Sequence, residues 1–269
     1  MAGEWINMLS KVLYIDLTKK RYWIEDRRDL FERWLGGIGV ATQLYKEEVS
    51  RRADPLGPEN VIILSVGPLT GVFPMASKTV AVFKSPLNGF FAESHAGGRS
   101  ASAIRFAGYG AIVIRGVSER PVYLIIEPGR VRFRDAGALW GVRSAETVGR
   151  ILREVTGGAG VRSILRIGGA GEKLVRYAMV MVETFRHFGR MGLGAVFGSK
   201  KLKGLVIIAG RNYRIPNTRK YLELYQKIFK LTMGPGTRKY HDLGTAENVA
   251  ALNAIGALPT RNFSSGRFE

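Results

Sequence analysis

Between residues 11 and 208 the apolar positions gather in short runs, set apart by glycine, proline and charged residues. Lys11-Val12-Leu13-Tyr14-Ile15-Asp16-Leu17 and Arg21-Tyr22-Trp23-Ile24 are β-branched and aromatic, and with Thr18-Lys19-Lys20 between them they predict a hairpin. Further strands are predicted over residues 61–66, 79–83, 111–114, 122–126, 131–134, 163–167, 175–182 and 205–208. Helical spacing links Leu30, Phe31, Trp34, Leu35, Ile38, Leu44 and Tyr45, within residues 29–49. Gly36, Gly37 and Gly39 interrupt it, and because glycine weakens a helix they point to close packing or a ligand. Two more helices fit residues 100–107 and 144–155. Strands outnumber helices and do not alternate with them regularly, which predicts an α+β fold rather than a doubly wound parallel sheet.

The pattern changes near Gly210. Residues 217–233 place Tyr221, Leu224, Tyr225, Ile228 and Leu231 on one side of a helix, and residues 245–255 form a second helical stretch. The expected organisation is a sheet-rich domain over 1–210 and an incomplete helical segment over 211–269, the start of a second domain.

Composition narrows the chemistry. With 46% hydrophobic and 23% charged residues the chain is an ordinary globular one. It has no cysteine, so it forms no disulfide, holds no thiolate-bound zinc and ligates no iron–sulfur cluster. No apolar run reaches membrane-spanning length and Met1-Ala2-Gly3-Glu4-Trp5 carries no leader signature, so a cytoplasmic location is expected. The 41 Lys+Arg against 22 Asp+Glu give a formal charge of +19, but no block of five or six basic residues occurs. A dispersed basic surface is the first reading, and docking of phosphates or acidic partners the second.

Glycine-rich stretches invite phosphate-loop readings. In Gly192-Leu193-Gly194-Ala195-Val196-Phe197-Gly198-Ser199-Lys200 serine precedes lysine and the glycine spacing is wrong for a Walker loop. Gly169-Ala170-Gly171-Glu172-Lys173-Leu174 lacks the third glycine of a dinucleotide fingerprint. His95, His187 and His241 are too far apart for a helical zinc pair. Two clusters survive. In Phe90-Phe91-Ala92-Glu93-Ser94-His95-Ala96-Gly97-Gly98-Arg99-Ser100, small residues precede a predicted helix and would expose backbone N–H groups to an anion, although an ordinary capped turn fits as well. In Thr184-Phe185-Arg186-His187-Phe188-Gly189-Arg190-Met191-Gly192-Leu193-Gly194, two arginines four apart among glycines suit phosphate or pyrophosphate, with surface arginines on a helix as the alternative.

Both clusters sit in a longer sequence that resembles the N-terminal domain of tungsten-containing aldehyde:ferredoxin oxidoreductases. The resemblance is carried by Trp34-Leu35-Gly36-Gly37, Gly67-Pro68-Leu69-Thr70-Gly71, Lys84-Ser85-Pro86-Leu87-Asn88-Gly89-Phe90, Phe106-Ala107-Gly108-Tyr109 and the stretch from Gly189 to Lys200, all in family order. Thr245-Ala246 and Arg261-Asn262-Phe263 resemble the start of the family's second domain. The resemblance implies a duplicated β-sheet base for tungstopterin, a tungsten held by two pterins whose phosphates are bridged by magnesium. It implies cofactor contacts at Lys78, His95, Gly97, Arg186, His187, Gly189 and Arg190, with the backbone carbonyls of His95 and His187 reaching the magnesium. Lys78 stands where the family has arginine, so a point charge replaces a bidentate fork.

The implied activity is oxidation of an aldehyde to a carboxylic acid with electrons passed to ferredoxin. No residue of this chain takes a catalytic role in that reading, and the four-iron four-sulfur (4Fe-4S) cluster is expected on domains that follow in the family. A separate polypeptide carrying those domains is the expected partner, and self-association into a homo-oligomer stays open. Two rivals accompany this reading: an inactive remnant or assembly partner of the same fold, and a basic nucleic-acid-binding protein, the weaker of the two for want of a basic patch interleaved with aromatics.

Overall fold

The computed structural model describes residues 9–157, 160–210, 215 and 217–269. It divides into two compact units, one running to residue 72 and from 76 to 214, the other formed by 73–75 and 215–269. The expected boundary after Gly210 opens on residues 211–214, which lie outside the described ones.

The first unit holds two six-stranded mixed sheets of the same design. One is ordered β2-β1-β6-β3-β4-β5 and the other β11-β10-β9-β12-β7-β8. Strands β1 (Lys11–Asp16) and β2 (Arg21–Asp26) form the expected hairpin, and β7 (Val122–Glu127) and β8 (Arg130–Asp135) repeat it. In each half the first strand pairs in parallel with the last, β1 with β6 (Ala111–Arg115) and β7 with β12 (Leu202–Ile208). The last strand pairs antiparallel with β3 (Ile62–Ser65) or β9 (Arg162–Arg166), from which a meander continues outward. That meander ends in the edge strands β5 (Phe91–Ala96), beyond β4 (Thr79–Lys84), and β11 (Arg186–Phe188), beyond β10 (Val180–Val182). The expected α+β class and duplicated sheet are what the chain forms.

Period-two patterning explains the core. Leu124, Ile126, Leu165, Leu205 and Ile207 turn inward to a cluster shared with Leu13, Ile62, Leu64, Ile112 and Ile114 of the first sheet, so one core serves both halves. Their neighbours Ile125, Ile164 and Val206 face the other way and pack with Val148 and Leu152 of an outer helix, residues Ala145–Val155. Tyr109, from the first half, bonds across to the second, donating to the Glu127 carbonyl at 3.0 Å and accepting from Gly129 N–H at 2.8 Å.

Helices follow the pattern with instructive departures. The stretch expected as one helix from residue 29 is two, α1 (Arg28–Trp34) and α2 (Gly37–Glu48). Between them Leu35 and Gly36 have positive φ, and Gly37 N–H donates to the Val66 carbonyl at 2.9 Å, so docking on the strand end breaks the helix. Then come α3 (Ser100–Phe106), α4 (Ala145–Val155), α5 (Gly169–Glu172) and α6 (Leu193–Ser199). Neither α5 nor α6 was expected, because glycine content argued against them. The two pack backbone to backbone: a Cβ on Gly198 would lie 1.9 Å from the Gly171 carbonyl. Close packing outweighs propensity here. The strand expected over 175–182 shortens to β10, because Ala178 turns and accepts from Gly194 N–H of α6 at 2.8 Å.

The second unit is helical, with α7 (Thr218–Thr232), α8 (Pro235–Asp242) and α9 (Asn248–Ala254), the last preceded by a 3-10 turn over Gly244–Glu247. Asn217 caps α7, its side-chain oxygen accepting from Lys220 N–H at 2.9 Å. None of these helices buries a residue. Phe73, Tyr221, Tyr225 and Phe229 form a run of ring contacts. Among the described residues no helix is long and apolar enough to cross a membrane.

Candidate functional site

The edge strands β5 and β11 bring the two glycine-rich clusters side by side. Along β5 burial alternates, leaving Phe91, Glu93 and His95 exposed and Ala92, Ser94 and Ala96 buried. Along β11 Arg186 and His187 are exposed while Phe188 is fully buried. Each strand runs out into a loop of small residues and then a helix, α3 or α6.

The contacts across this seam are reciprocal. Arg190 N–H donates to Ser94 Oγ at 3.3 Å. At the other end the Arg186 side chain lies where a Cβ on Gly97 or Gly98 would meet it, at 3.8 and 3.5 Å. An offset of 92 residues (187 − 95 and 189 − 97) carries His95-Ala96-Gly97 onto His187-Phe188-Gly189. The same offset carries Ser94 onto Arg186 and Gly98 onto Arg190, so the two contacts join equivalent pairs of positions across a local two-fold, one through the Arg190 backbone and the other through the Arg186 side chain. Ser85 fixes the seam further, its hydroxyl donating to the Met191 carbonyl at 2.7 Å.

The remaining expected residue, Lys78, is exposed and precedes β4. Since Thr79 pairs with Ala96, Lys78 stands at the level of Gly97. The buried Thr79 and Ser100 hydroxyls, 2.7 Å apart, tie the loop between them to the start of β4. The structure thus gathers Lys78, His95, Gly97, Arg186, His187, Gly189 and Arg190 along one seam. His95 Nε2 lies 3.6 Å from Glu93 Oε1, with both side chains about half exposed.

The seam suits an anionic ligand by its donor set. Arg186 and Arg190 offer planar, permanently charged forks, and the small residues opposite them leave room beside the backbone. Gly98 has φ +96°, a conformation that side chains rarely adopt, so the loop that faces Arg186 depends on glycine there. Among the described residues no group of three His, Cys, Asp or Glu side chains is placed to hold a metal ion.

Sequence reasoning found both clusters but missed their kinship. The repeated His-x-Gly, at positions 95–97 and 187–189, was the available signal. It also left Lys200 unplaced after excluding a Walker loop. Lys200 is fully buried, donating to the Gly116 carbonyl at 2.9 Å. Burial pulls its pKa down to about 8, with Glu59 opposing the shift.

Comparison with known proteins agrees with this architecture. Residues 12–209 match the family model for the aldehyde ferredoxin oxidoreductase N-terminal domain. A tungsten-containing aldehyde ferredoxin oxidoreductase of Thermococcus kodakarensis is 40% identical over 276 residues, covering 100% of this chain and 44% of the relative. One from Pyrococcus furiosus is 37% identical, covering 99% and 44%. The WOR-like subunit of an aliphatic sulfonate oxidoreductase, also from Pyrococcus furiosus, is 34% identical over 73% of this chain and 34% of its own length. Among solved structures, the active-site complex BamBC of benzoyl coenzyme A reductase, with bound 1,5-dienoyl-CoA, matches with a TM-score of 0.78 and 30% identity, over 85% of this chain and 35% of that one. The chain spans 44% of the length of the two tungsten-containing aldehyde ferredoxin oxidoreductases. It belongs to the aldehyde ferredoxin oxidoreductase family, and its two-sheet unit corresponds to that family's N-terminal domain.

Proposed function

We propose that the seam between β5 and β11 holds a tungsten cofactor carried on two pterins. On this reading the chain is the cofactor-binding part of an aldehyde:ferredoxin oxidoreductase, acting with polypeptide equivalent to the rest of the relatives' length. The observation that carries the reading is the reciprocal contact pair, Arg190 with Ser94 and Arg186 with Gly98, which offers a two-fold frame to a two-fold ligand.

Each residue has a role in this frame. Arg186 and Arg190 would hold pterin phosphates through charge-assisted hydrogen bonds, and Lys78 would add a point charge. Gly97 and Gly189 let the backbone approach. The carbonyls of His95 and His187, equivalent by the 92-residue offset, would be oxygen ligands suited to a hard cation such as magnesium. The bound tungsten centre supplies the two-electron oxidation of aldehyde to acid. With no cysteine in the chain, the iron–sulfur cluster that would pass electrons on to ferredoxin needs ligands from outside it.

The test is co-expression with the corresponding remainder of a relative in tungstate-supplemented cells, followed by tungsten analysis and a pterin fluorescence assay. The starting protein should retain both. Arg186→Gln with Arg190→Gln removes charge-assisted hydrogen bonds of about 1.5–3 kcal/mol each, so loading should fall by roughly tenfold or more. Undiminished loading would reject the seam as the site, and absence of tungsten and pterin from the starting protein would reject the cofactor.

A further inference from the structure

The second half contains a pocket of about 250 Å³ that none of the seam residues lines. Its wall is formed by Glu146, Gly149, Arg150 and Arg153 of α4, by Arg166 of β9 and by Glu183 at the end of β10. Three arginines and two carboxylates leave one net positive charge.

Two groups inside it have unused hydrogen-bonding capacity. Arg166 is only 2% exposed, yet its guanidinium is not consumed by the fold. Nε donates to the Ala145 carbonyl at 2.8 Å, and Nη1 to the carbonyls of Ile164 and Glu183. Nη2 makes no hydrogen bond among the described residues. Glu183 is the complementary case: Oε2 lies 3.4 Å from Arg153 Nη2, while Oε1 is buried without a partner.

The helix makes room for this arrangement. Gly149 lies in the interior of α4, where glycine is less favourable than alanine. A Cβ there would sit 2.8 Å from Nε, Cζ and Nη2 of Arg166. Burial lowers the Arg166 pKa and Arg153 adds to the lowering, while Glu183 and Glu146 oppose it. Glu183 itself is held at φ +53°, a left-handed conformation.

We propose that this pocket binds a protonated phosphate group, either inorganic phosphate or the end of a phosphomonoester. Its oxygens accept from Arg166, Arg153 and Arg150, and its P–OH donates to the Glu183 carboxylate. A monoanion matches the net charge, and the donor–acceptor pair distinguishes phosphate from sulfate, which carries no proton near neutral pH. The pocket adjoins the seam through Glu183 and Thr184, and the proposal does not depend on the cofactor reading.

Calorimetry at pH 6 on the full chain tests this, in an Arg190→Gln background so that an anion held at the seam is weakened. Sodium phosphate should bind at least tenfold more tightly than sodium sulfate. Arg150→Gln with Arg153→Gln, both on the exposed side of α4, should weaken phosphate by roughly tenfold. Glu183→Gln should bring phosphate and sulfate to similar affinities. Binding of glycerol 3-phosphate would assign the pocket to phosphomonoesters, and its exclusion while phosphate binds would assign it to the free ion. Sulfate binding as tightly as phosphate, phosphate affinity unchanged in the double arginine variant, or no binding of either phosphate compound would overturn the proposal.

Discussion

The two halves of the sheet unit share one strand plan but not one distribution of charge. At matched positions the first half has Ser94 and Gly98, and the second has Arg186 and Arg190. Ser94 accepts from the Arg190 backbone N–H, and Gly98 lies against the Arg186 side chain. Duplication therefore supplies the frame, while later divergence makes one half the donor of cations and the other the donor of space. The outer faces diverge too: among the described residues, only the second half pairs a helix-interior glycine with a buried arginine beneath it.

The strongest challenge to this comparison is to its premise that the halves form one body. Leu64 and Leu165 are fully buried in the shared core, one on each sheet. Leu64→Ala and Leu165→Ala should each lower stability by about 2–5 kcal/mol. Calorimetric melting should show a single transition for the sheet unit in both variants, and two separated transitions would show that the halves unfold independently.

A smaller effect tests the division of labour at the seam. Gly98→Ala places a Cβ on backbone at φ +96° and against Arg186, which should cost about 1–2 kcal/mol. Gly97→Ala, at a position without positive φ, should cost less in the same chemical denaturation experiment. Equal costs would remove the special standing of Gly98.

The smallest effect concerns Lys200, whose ammonium bonds carbonyls of the first half from the second. Its folded pKa of about 8 lies below the ordinary lysine value of 10.5, so the unfolded chain holds the proton more tightly. The burial penalty is fully present below pH 8 and is relieved as pH rises towards the unfolded value, so stability from this group increases over that window. The melting temperature of the starting protein should gain on that of Lys200→Met between pH 8 and 10. A constant difference between the two would show that Lys200 titrates normally.

Much of this frame is legible in the sequence. Continuous apolar runs such as Val122 to Ile126 mark buried central strands, and the hairpin at residue 11 follows from its aromatic and β-branched residues. The edge strands were harder to read. In β5 the alternation runs through Glu93, Ser94 and His95, so no apolar run announces a strand, and β11 is only three residues long. Helices α5 and α6 were hidden because glycine reads as a breaker until the partner backbone it admits is known. The arginine clusters could be nominated from residue type alone. Their reciprocal contact could not, because it depends on which edges meet. The outer pocket was equally invisible, since Arg166 and Glu183 are remote from α4 in sequence.

The parallel pairing of β1 with β6, and of β7 with β12, carries a consequence for synthesis. In each half the strand made first waits for the strand made last. A ribosome must release nearly a whole half before its sheet can close, and such distant pairing is intrinsically slow. Until then β1 and β3 present unpaired edges that a second nascent chain could join. The same plan that gives the folded unit its two-fold frame thus makes its birth the moment of greatest aggregation risk, and slowing translation between the halves should raise the soluble yield.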